Sequence, residues 1–172
     1  MSLKENLHSE LILQKGDYYV QKDDNNFKIG KVIQGVLRGF VDNNEGNEIT
    51  THFFIESDIV SGNFIPNIPA TINIQAMENC KIYSANYKDV YTHINNDSEI
   101  TEIINSSFQK LNIQIQSRLV SLASKNAFEK YKLFLKEYPN LLNRVPHYHI
   151  ASFLGITPTQ LSRVRKLFSQ QM

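Results

Sequence analysis

The sequence is poor in the residues that carry most protein chemistry. It holds one cysteine, Cys80, and no tryptophan. A single cysteine excludes an intramolecular disulfide and any multi-cysteine cluster. No apolar run approaches the roughly 20 residues that span a bilayer. Met1-Ser2-Leu3-Lys4 lacks the apolar stretch and cleavage site of a signal peptide. A cytoplasmic protein with no membrane partner is expected.

Catalytic sets are missing too. The five histidines are too scattered for a metal-binding barrel enzyme, and no Ser/His/Asp set, carboxylate pair or glycine-rich phosphate loop stands in supporting context. His147 and His149 lie two apart, on different faces of a short helix, and make poor metal partners. Nothing around His52 or His93 supports haem ligation. Cys80 sits in an apolar strand pattern and reads as a small core residue. No enzyme, no metal and no certain cofactor are expected.

The last third is also short of acid. Residues 1–109 carry 8 Lys+Arg against 15 Asp+Glu; residues 110–172 carry 10 against 2, Glu129 and Glu137. The net charge of +1 hides this asymmetry. A basic segment on an acidic protein is the footprint of a nucleic-acid-binding module, or of lysines that merely solubilise helices.

Residues 10–94 read as β structure, in short Val-, Ile-, Tyr- and Phe-rich runs broken by turns. The turns are Gly16-Asp17, Asp23-Asp24-Asn25-Asn26 and Asp42-Asn43-Asn44-Glu45-Gly46-Asn47. The runs are 18–20, 31–33, 36–41, 49–54, 70–76 and 80–83. Strands without intervening helices predict an antiparallel sandwich, roll or barrel.

Near residue 97 the period changes. Asn95-Asn96-Asp97-Ser98 offers caps, and Glu99 and Glu102 favour a helix start. Ile104, Phe108, Leu111, Ile115 and Leu122 follow at steps of 4, 3, 4 and 7, with Arg118 splitting the last. That stripe would cover a partner helix or the chain's own β domain; about five turns of seam suit a homodimer better. A helix over 126–138 carries Phe128, Tyr131, Leu135 and Tyr138 and ends at Pro139. Two short helices are predicted over 146–153 and 158–168.

Those two carry the most specific pattern. Ile150, Ala151 and Leu154 face inward, and Ala151 is small enough for close approach. Gly155 takes the sharp turn, Ile156 plugs the angle, Thr157 is the N-cap and Pro158 takes the first helical position. Leu161, Val164 and Leu167 bury the second helix, leaving Thr159, Gln160, Ser162, Arg163 and Lys166 free. This is a helix-turn-helix with a polar, basic outer face.

With these residues in place, the chain resembles the Crp/Fnr family of bacterial regulators, in particular its short Bacteroidetes-type members. The resemblance runs over about residues 10–168. It rests on Gly16-Asp17, Val32-Ile33-Gln34-Gly35-Val36-Leu37-Arg38, Gly46-Asn47-Glu48-Ile49-Thr50, Glu56-Ser57-Asp58-Ile59-Val60, Tyr138-Pro139 to Arg144-Val145-Pro146, and above all Ile150-Ala151-Ser152-Phe153-Leu154-Gly155-Ile156-Thr157-Pro158. It implies an α+β fold: a jelly-roll-like β-roll sensor over 1–96, a dimerisation helix over 97–124, and a DNA-binding helix-turn-helix over 125–172.

It further implies that Thr159, Gln160 and Arg163 read bases, that Thr157 opens the recognition helix, and that Arg165 and Lys166 meet phosphate. The implied partners are double-stranded DNA, a second copy, an unknown small-molecule effector and RNA polymerase. The alternative is a small-molecule-binding or interaction module that shares the fold and binds no DNA.

Two departures stand out. The family's β wing has no counterpart before Met172, which implies fewer phosphate contacts. In the segment for the effector, residues 59–77 hold no charge. Ala70, with Thr71 beside it, stands where cyclic-nucleotide binders place an arginine. Burying a phosphate without a cation costs several kcal/mol, offset only in part by the main-chain N–H groups of Ser61, Gly62 and Asn63. cAMP is therefore disfavoured.

Overall fold

The computed structural model describes residues 9–25, 28–63, 68–94 and 98–170, with the backbone alone at 91–94 and 99. The chain forms two compact units: Met1–Val41 with Thr51–Lys110, and Asp42–Thr50 with Leu111–Met172. The division falls inside the long helix rather than at its expected ends near 96 and 124, and it assigns the turn at 42–50 to the helical unit.

The first unit is built on two four-stranded sheets. One runs in the order β1 (Ser9–Leu13), β8 (Cys80–Asn86), β3 (Lys28–Gln34), β6 (Ile59–Ser61), antiparallel throughout. The other runs β2 (Tyr18–Val20), β7 (Asn73–Ala76), β4 (Leu37–Asp42), β5 (Glu48–Phe54). Leu13, Val20, Val32, Leu37, Phe54, Val60, Ile74 and Ile82 come together in one core, as alternation along short strands requires. Cys80 lies in that core, as its pattern suggested.

Gly35 is where β3 gives way to β4. Its φ is +102°, its N–H reaches Glu56 Oε1 at 3.0 Å, and an added Cβ would meet Cys80 Sγ at 2.5 Å. Only glycine fits there.

Three expectations need correction. β1 and β6 were not among the runs singled out; Ile59–Ser61 is three residues long and buried throughout, so it shows no alternation. Tyr87–Ile94, inside the stretch read as β, is a helix, α1. Tyr87 and Val90 have strand propensity, but both bury against Ile29, Ile59, Ala85, Ile100 and Ile104, and tertiary burial decides.

The third concerns the long helix α2 (Ser98–Ser124, 27 residues), about 40 Å at 1.5 Å per residue. Ile104, expected at the dimer seam, is 6% exposed in the cluster just named, and Phe108 packs against it. Lys110 closes this stretch with an ion pair to Asp58. The start of the expected stripe therefore covers the chain's own β unit. Asn26, the capping residues Asn95–Asp97, and the side chains of His93 and Glu99 lie outside the described residues.

The second unit contains the rest of α2, then α3 (Ala127–Glu137), a 3-10 turn (Leu141–Asn143), α4 (His147–Leu154) and α5 (Pro158–Ser169). A capping box opens α3: Asn126 Oδ1 accepts from the N–H groups of Phe128 and Glu129, and Glu129 Oε2 accepts from Asn126 N–H. The inward face of α3 is Tyr131 and Phe134, with Tyr138 after it; Leu135, expected inside, is half-buried. The turn at 42–50 is tied by Asn43, whose Oδ1 accepts from the N–H groups of Glu45 and Asn47 at 2.9 Å each.

Candidate nucleic-acid interface

The chemistry of a helix-turn-helix depends on the angle between its two helices, and local backbone groups set that angle here. At the end of α4, Gly155 adopts φ +62°. Its N–H bonds to Ser152 O at 3.1 Å, and the N–H of Ile156 bonds to Ala151 O at 3.0 Å. This is a Schellman closure. An added Cβ at Gly155 would stand 2.8 Å from Leu122 Cδ2 on α2. Gly155→Ala is expected to cost about 1–2 kcal/mol through left-handed strain and that clash. Urea unfolding followed by circular dichroism would show it; an unchanged midpoint would mean the turn does not need glycine.

The start of α5 is fixed with equal economy. Thr157 Oγ1 accepts from Gln160 N–H at 3.1 Å, and Gln160 Oε1 accepts from Thr157 N–H at 2.9 Å. Pro158 sits in the first turn, where its missing N–H costs nothing. Gln160, expected as a base reader, is therefore also half of a capping box, which uses its Oε1 and not the donors on Nε2.

Behind the turn, Ile150, Ala151, Leu154, Leu161 and Val164 are buried. Leu167, expected inside, is 51% exposed. Phe168 takes its place, its ring 6.1 Å from that of Phe128 and 5.6 Å from that of Tyr131. The step after Val164 is 4, so the buried stripe follows the helical period of 3.6.

Thr157, Thr159, Gln160, Ser162, Arg163 and Lys166 are all exposed, and the helix brings the expected readers together. Arg165 differs: it is half-buried, and its Nη1 donates to His147 Nδ1 on α4 at 2.8 Å. His149, by contrast, is buried.

Three residues outside the expected set tie this unit together. Arg118, on α2, donates through Nε to Phe153 O at 3.1 Å and through Nη2 to Thr50 O at 2.8 Å, and lies 4.7 Å over the Phe153 ring. Burial pulls its guanidinium below the ordinary value, with Tyr138 opposing, yet arginine stays charged. Ser152, on α4, accepts at Oγ from Thr50 N–H at 2.9 Å and donates to Glu48 O at 3.2 Å. The interruption of the apolar stripe by Arg118 was visible in the sequence; nothing local marks Ser152 or Thr50.

In the segment expected to meet an effector, the described residues bond to one another. Ser61 is buried, with its Oγ 3.0 Å from Lys28 O and 2.7 Å from Asn63 O. Asn63 Nδ2 donates to Pro69 O at 3.0 Å, and Thr71 N–H to Gly62 O at 3.1 Å. A Cβ at Gly62 would meet Ala70 Cβ and Val20 Cγ1 at 2.8 Å each. These groups bond and pack with one another. Residues 64–67 lie outside the described part.

No protein-family model matches the sequence, and no curated protein is detectably similar to it. Solved structures do match. FixK2 from Bradyrhizobium japonicum superposes with a TM-score of 0.84 at 15% identity, covering 95% of this chain and 85% of FixK2. CLP, the c-di-GMP-responsive global regulator of Xanthomonas campestris, gives 0.77 at 14%, covering 98% and 90%. TTHA1359, a CRP/FNR-family transcriptional regulator from Thermus thermophilus, gives 0.73 at 13%, covering 95% and 87%. The chain has the Crp/Fnr fold. The expected α+β class with a β-roll is thereby shown. Among the described residues no helix is long and apolar enough to cross a membrane.

Proposed function

We propose that this chain is a cytoplasmic, non-enzymatic transcription regulator that binds double-stranded DNA as a homodimer. The observation that carries this reading is the outer face of α5. Thr159, Gln160, Ser162, Arg163 and Lys166 are exposed on a capped helix, and no acid follows Glu137. Arg163 is suited to a guanine edge, where its planar fork donates two bonds. Thr159 and the Nε2 of Gln160 serve neighbouring base edges. Lys166 positions the helix on phosphate.

The dimer reading rests on the free face of α2. Ile113, Leu119 and Val120 are 66%, 67% and 60% exposed. Gln109, Ile113, Gln116, Val120 and Ala123 stand at steps of 4, 3, 4 and 3, the spacing of a two-helix seam. The seam is assigned to this face, since Ile104 and Phe108 are covered by the chain itself and Ile115 and Leu122 lie around the helix from it. A second copy across this face would present two recognition helices to half-sites about one helical turn, roughly 34 Å, apart.

The test is selection from a randomised pool of duplex DNA with wild type and Arg163→Ala. Wild type is expected to enrich an inverted repeat. The variant should lose it, at about 1–3 kcal/mol per base contact removed. Failure of the wild type to retain DNA even at low salt would sink the regulator reading.

A further inference from the structure

We propose that the groove between α2, α3 and α4 is a binding site for a small amphipathic carboxylate, an apolar body with one anionic end. The site lies wholly within the helical unit, and its test does not depend on the DNA-binding reading.

The groove encloses about 360 Å³. That is at the small end of small-molecule sites, and too little for a docked helix about 10 Å across. Its floor is Phe134, Phe153 and Leu154, all buried. Its walls are Leu122 on α2 and Leu133 on α3, which stay 38% and 39% exposed. Two leucines left open beside a packed floor are apolar surface that the body of a ligand would take from water.

The polar groups are placed unevenly. The connector between α2 and α3 is two residues, 125 and 126, so α3 runs back beside α2. Ser121 and Lys130 then share the end nearest the connector, and Ser117, Arg118 and Glu137 the far end. At the far end the two charges oppose one another. At the near end Lys130 is the lone charge. Among the described residues no ion pair or hydrogen bond engages its ammonium or the Ser121 hydroxyl.

The acids of this unit do not supply the missing anion. Glu129 accepts from Asn126 N–H at 2.9 Å, and Glu137 is two turns along α3, about 10 Å away. On the turn at 42–50, Glu45 accepts from Asn47 Nδ2 at 3.2 Å, and neither Asp42 nor Glu48 lines the groove. An ammonium and a hydroxyl side by side are donors that a carboxylate, which only accepts, can satisfy. Arg118 and Leu122 leave α2 on the side away from Ile113 and Val120, so a second copy on the seam proposed above leaves the groove open. Leu122 also borders the turn at Gly155, where its Cδ2 would stand 2.8 Å from an added Cβ. An occupant of the groove therefore rests on a side chain that touches the helix-turn-helix.

Octanoate is the probe, followed through the methyl resonances of the full chain, with octanol and octylamine as its neutral and cationic counterparts. Octanoate should shift Leu122 and Leu133 with a dissociation constant of about 1 mM. Octanol should bind about tenfold more weakly, for one charge-assisted bond lost, and octylamine more weakly still. Lys130→Met keeps the stem and removes the charge; it should bring octanoate to the affinity of octanol and leave octanol unchanged. Leu133→Gln, at a site already open to water, should weaken both. Equal octanoate affinity in wild type and Lys130→Met overturns the proposal. So does a response confined to Ile113 and Val120, which would mean adsorption on the open face of α2, or no shift at all up to about 10 mM octanoate.

Discussion

Arg118→Ala is expected to destabilise the helical unit by about 3 kcal/mol, taking two charge-assisted bonds at about 1.5 kcal/mol each. The guanidinium links three segments of the second unit. It sits on α2, its Nη2 reaches Thr50 O at 2.8 Å, and its Nε reaches Phe153 O at 3.1 Å. Phe153 is in the last turn of α4, where carbonyls have no partner within the helix. A cation there also meets the negative end of the helix dipole. Thr50 is fully buried, so its carbonyl cannot exchange the lost donor for water.

The conservative variants separate the contributions. Arg118→Met keeps the aliphatic stem against the Phe153 ring and removes both donors; nearly the whole of the loss, about 3 kcal/mol, should remain. Arg118→Lys supplies one point charge that cannot span two carbonyls in a plane, and should recover about a third. Urea unfolding followed by circular dichroism is the measurement, since the chain has no tryptophan to report by fluorescence. A methionine variant as stable as wild type would show that packing, and not the bonds, holds this junction. Hydrogen exchange gives a second reading: the Thr50 N–H, which donates to Ser152 Oγ at 2.9 Å, should lose protection in the alanine variant.

Val120→Glu is expected to turn a dimer into a monomer. Val120 is 60% exposed and lies seven residues from Ile113, itself 66% exposed. Along a two-helix seam the same residue from each copy lies close to the twofold axis, so two carboxylates would be buried side by side. An unpaired buried charge costs several kcal/mol; about 4 kcal/mol corresponds to about a thousandfold in the dissociation constant.

Sedimentation equilibrium reads this directly, and DNA affinity should fall with it, because one recognition helix reads only one half-site. Ile115→Glu is the control. Ile115 is on the opposite side of α2 and should leave the dimer intact. Gln116→Leu, which removes a polar layer from the seam, should tighten it. A Val120→Glu chain that stays dimeric, or an Ile115→Glu chain that dissociates, would move the seam back to the face first expected.

Legibility differed sharply between the parts. The turn of the helix-turn-helix could be read residue by residue. Gly155 and Thr157 act through hydrogen bonds that span three to five residues, and Pro158 through its fixed φ, all of which depend on the residue types alone; the capping bond of Gln160, read in the sequence only as a base contact, came with the structure. The β unit was legible as a class, through its turns and its β-branched runs. Its edges were harder: Ile59–Ser61 is too short to show a period, and Tyr87–Ile94 has strand-like composition in a helix.

The long helix shows where local information stops. Its apolar residues announced a helix with something to cover, and its 3.5-residue spacing was plain. Which side meets the chain's own β unit, and which remains open, depends on partners far away in sequence. Ile104 was claimed by Ile29 and Ile59, and Arg118 by Thr50 and Phe153. The open face passed to Ile113 and Val120.

By itself, then, the sequence determined what short-range physics controls: the N-cap and the left-handed turn of the helix-turn-helix, the acid-poor last third, and the β-branched and aromatic runs between turns that build the sheets. Only the tertiary structure decided which residue of each pattern is spent inside the chain. It placed Phe168 where Leu167 was expected, turned Arg165 onto His147, and joined Arg118, Thr50 and Ser152. Each of these depends on a partner brought close by folding, and burial between distant segments outweighs the few tenths of a kcal/mol by which local propensity distinguishes neighbouring positions.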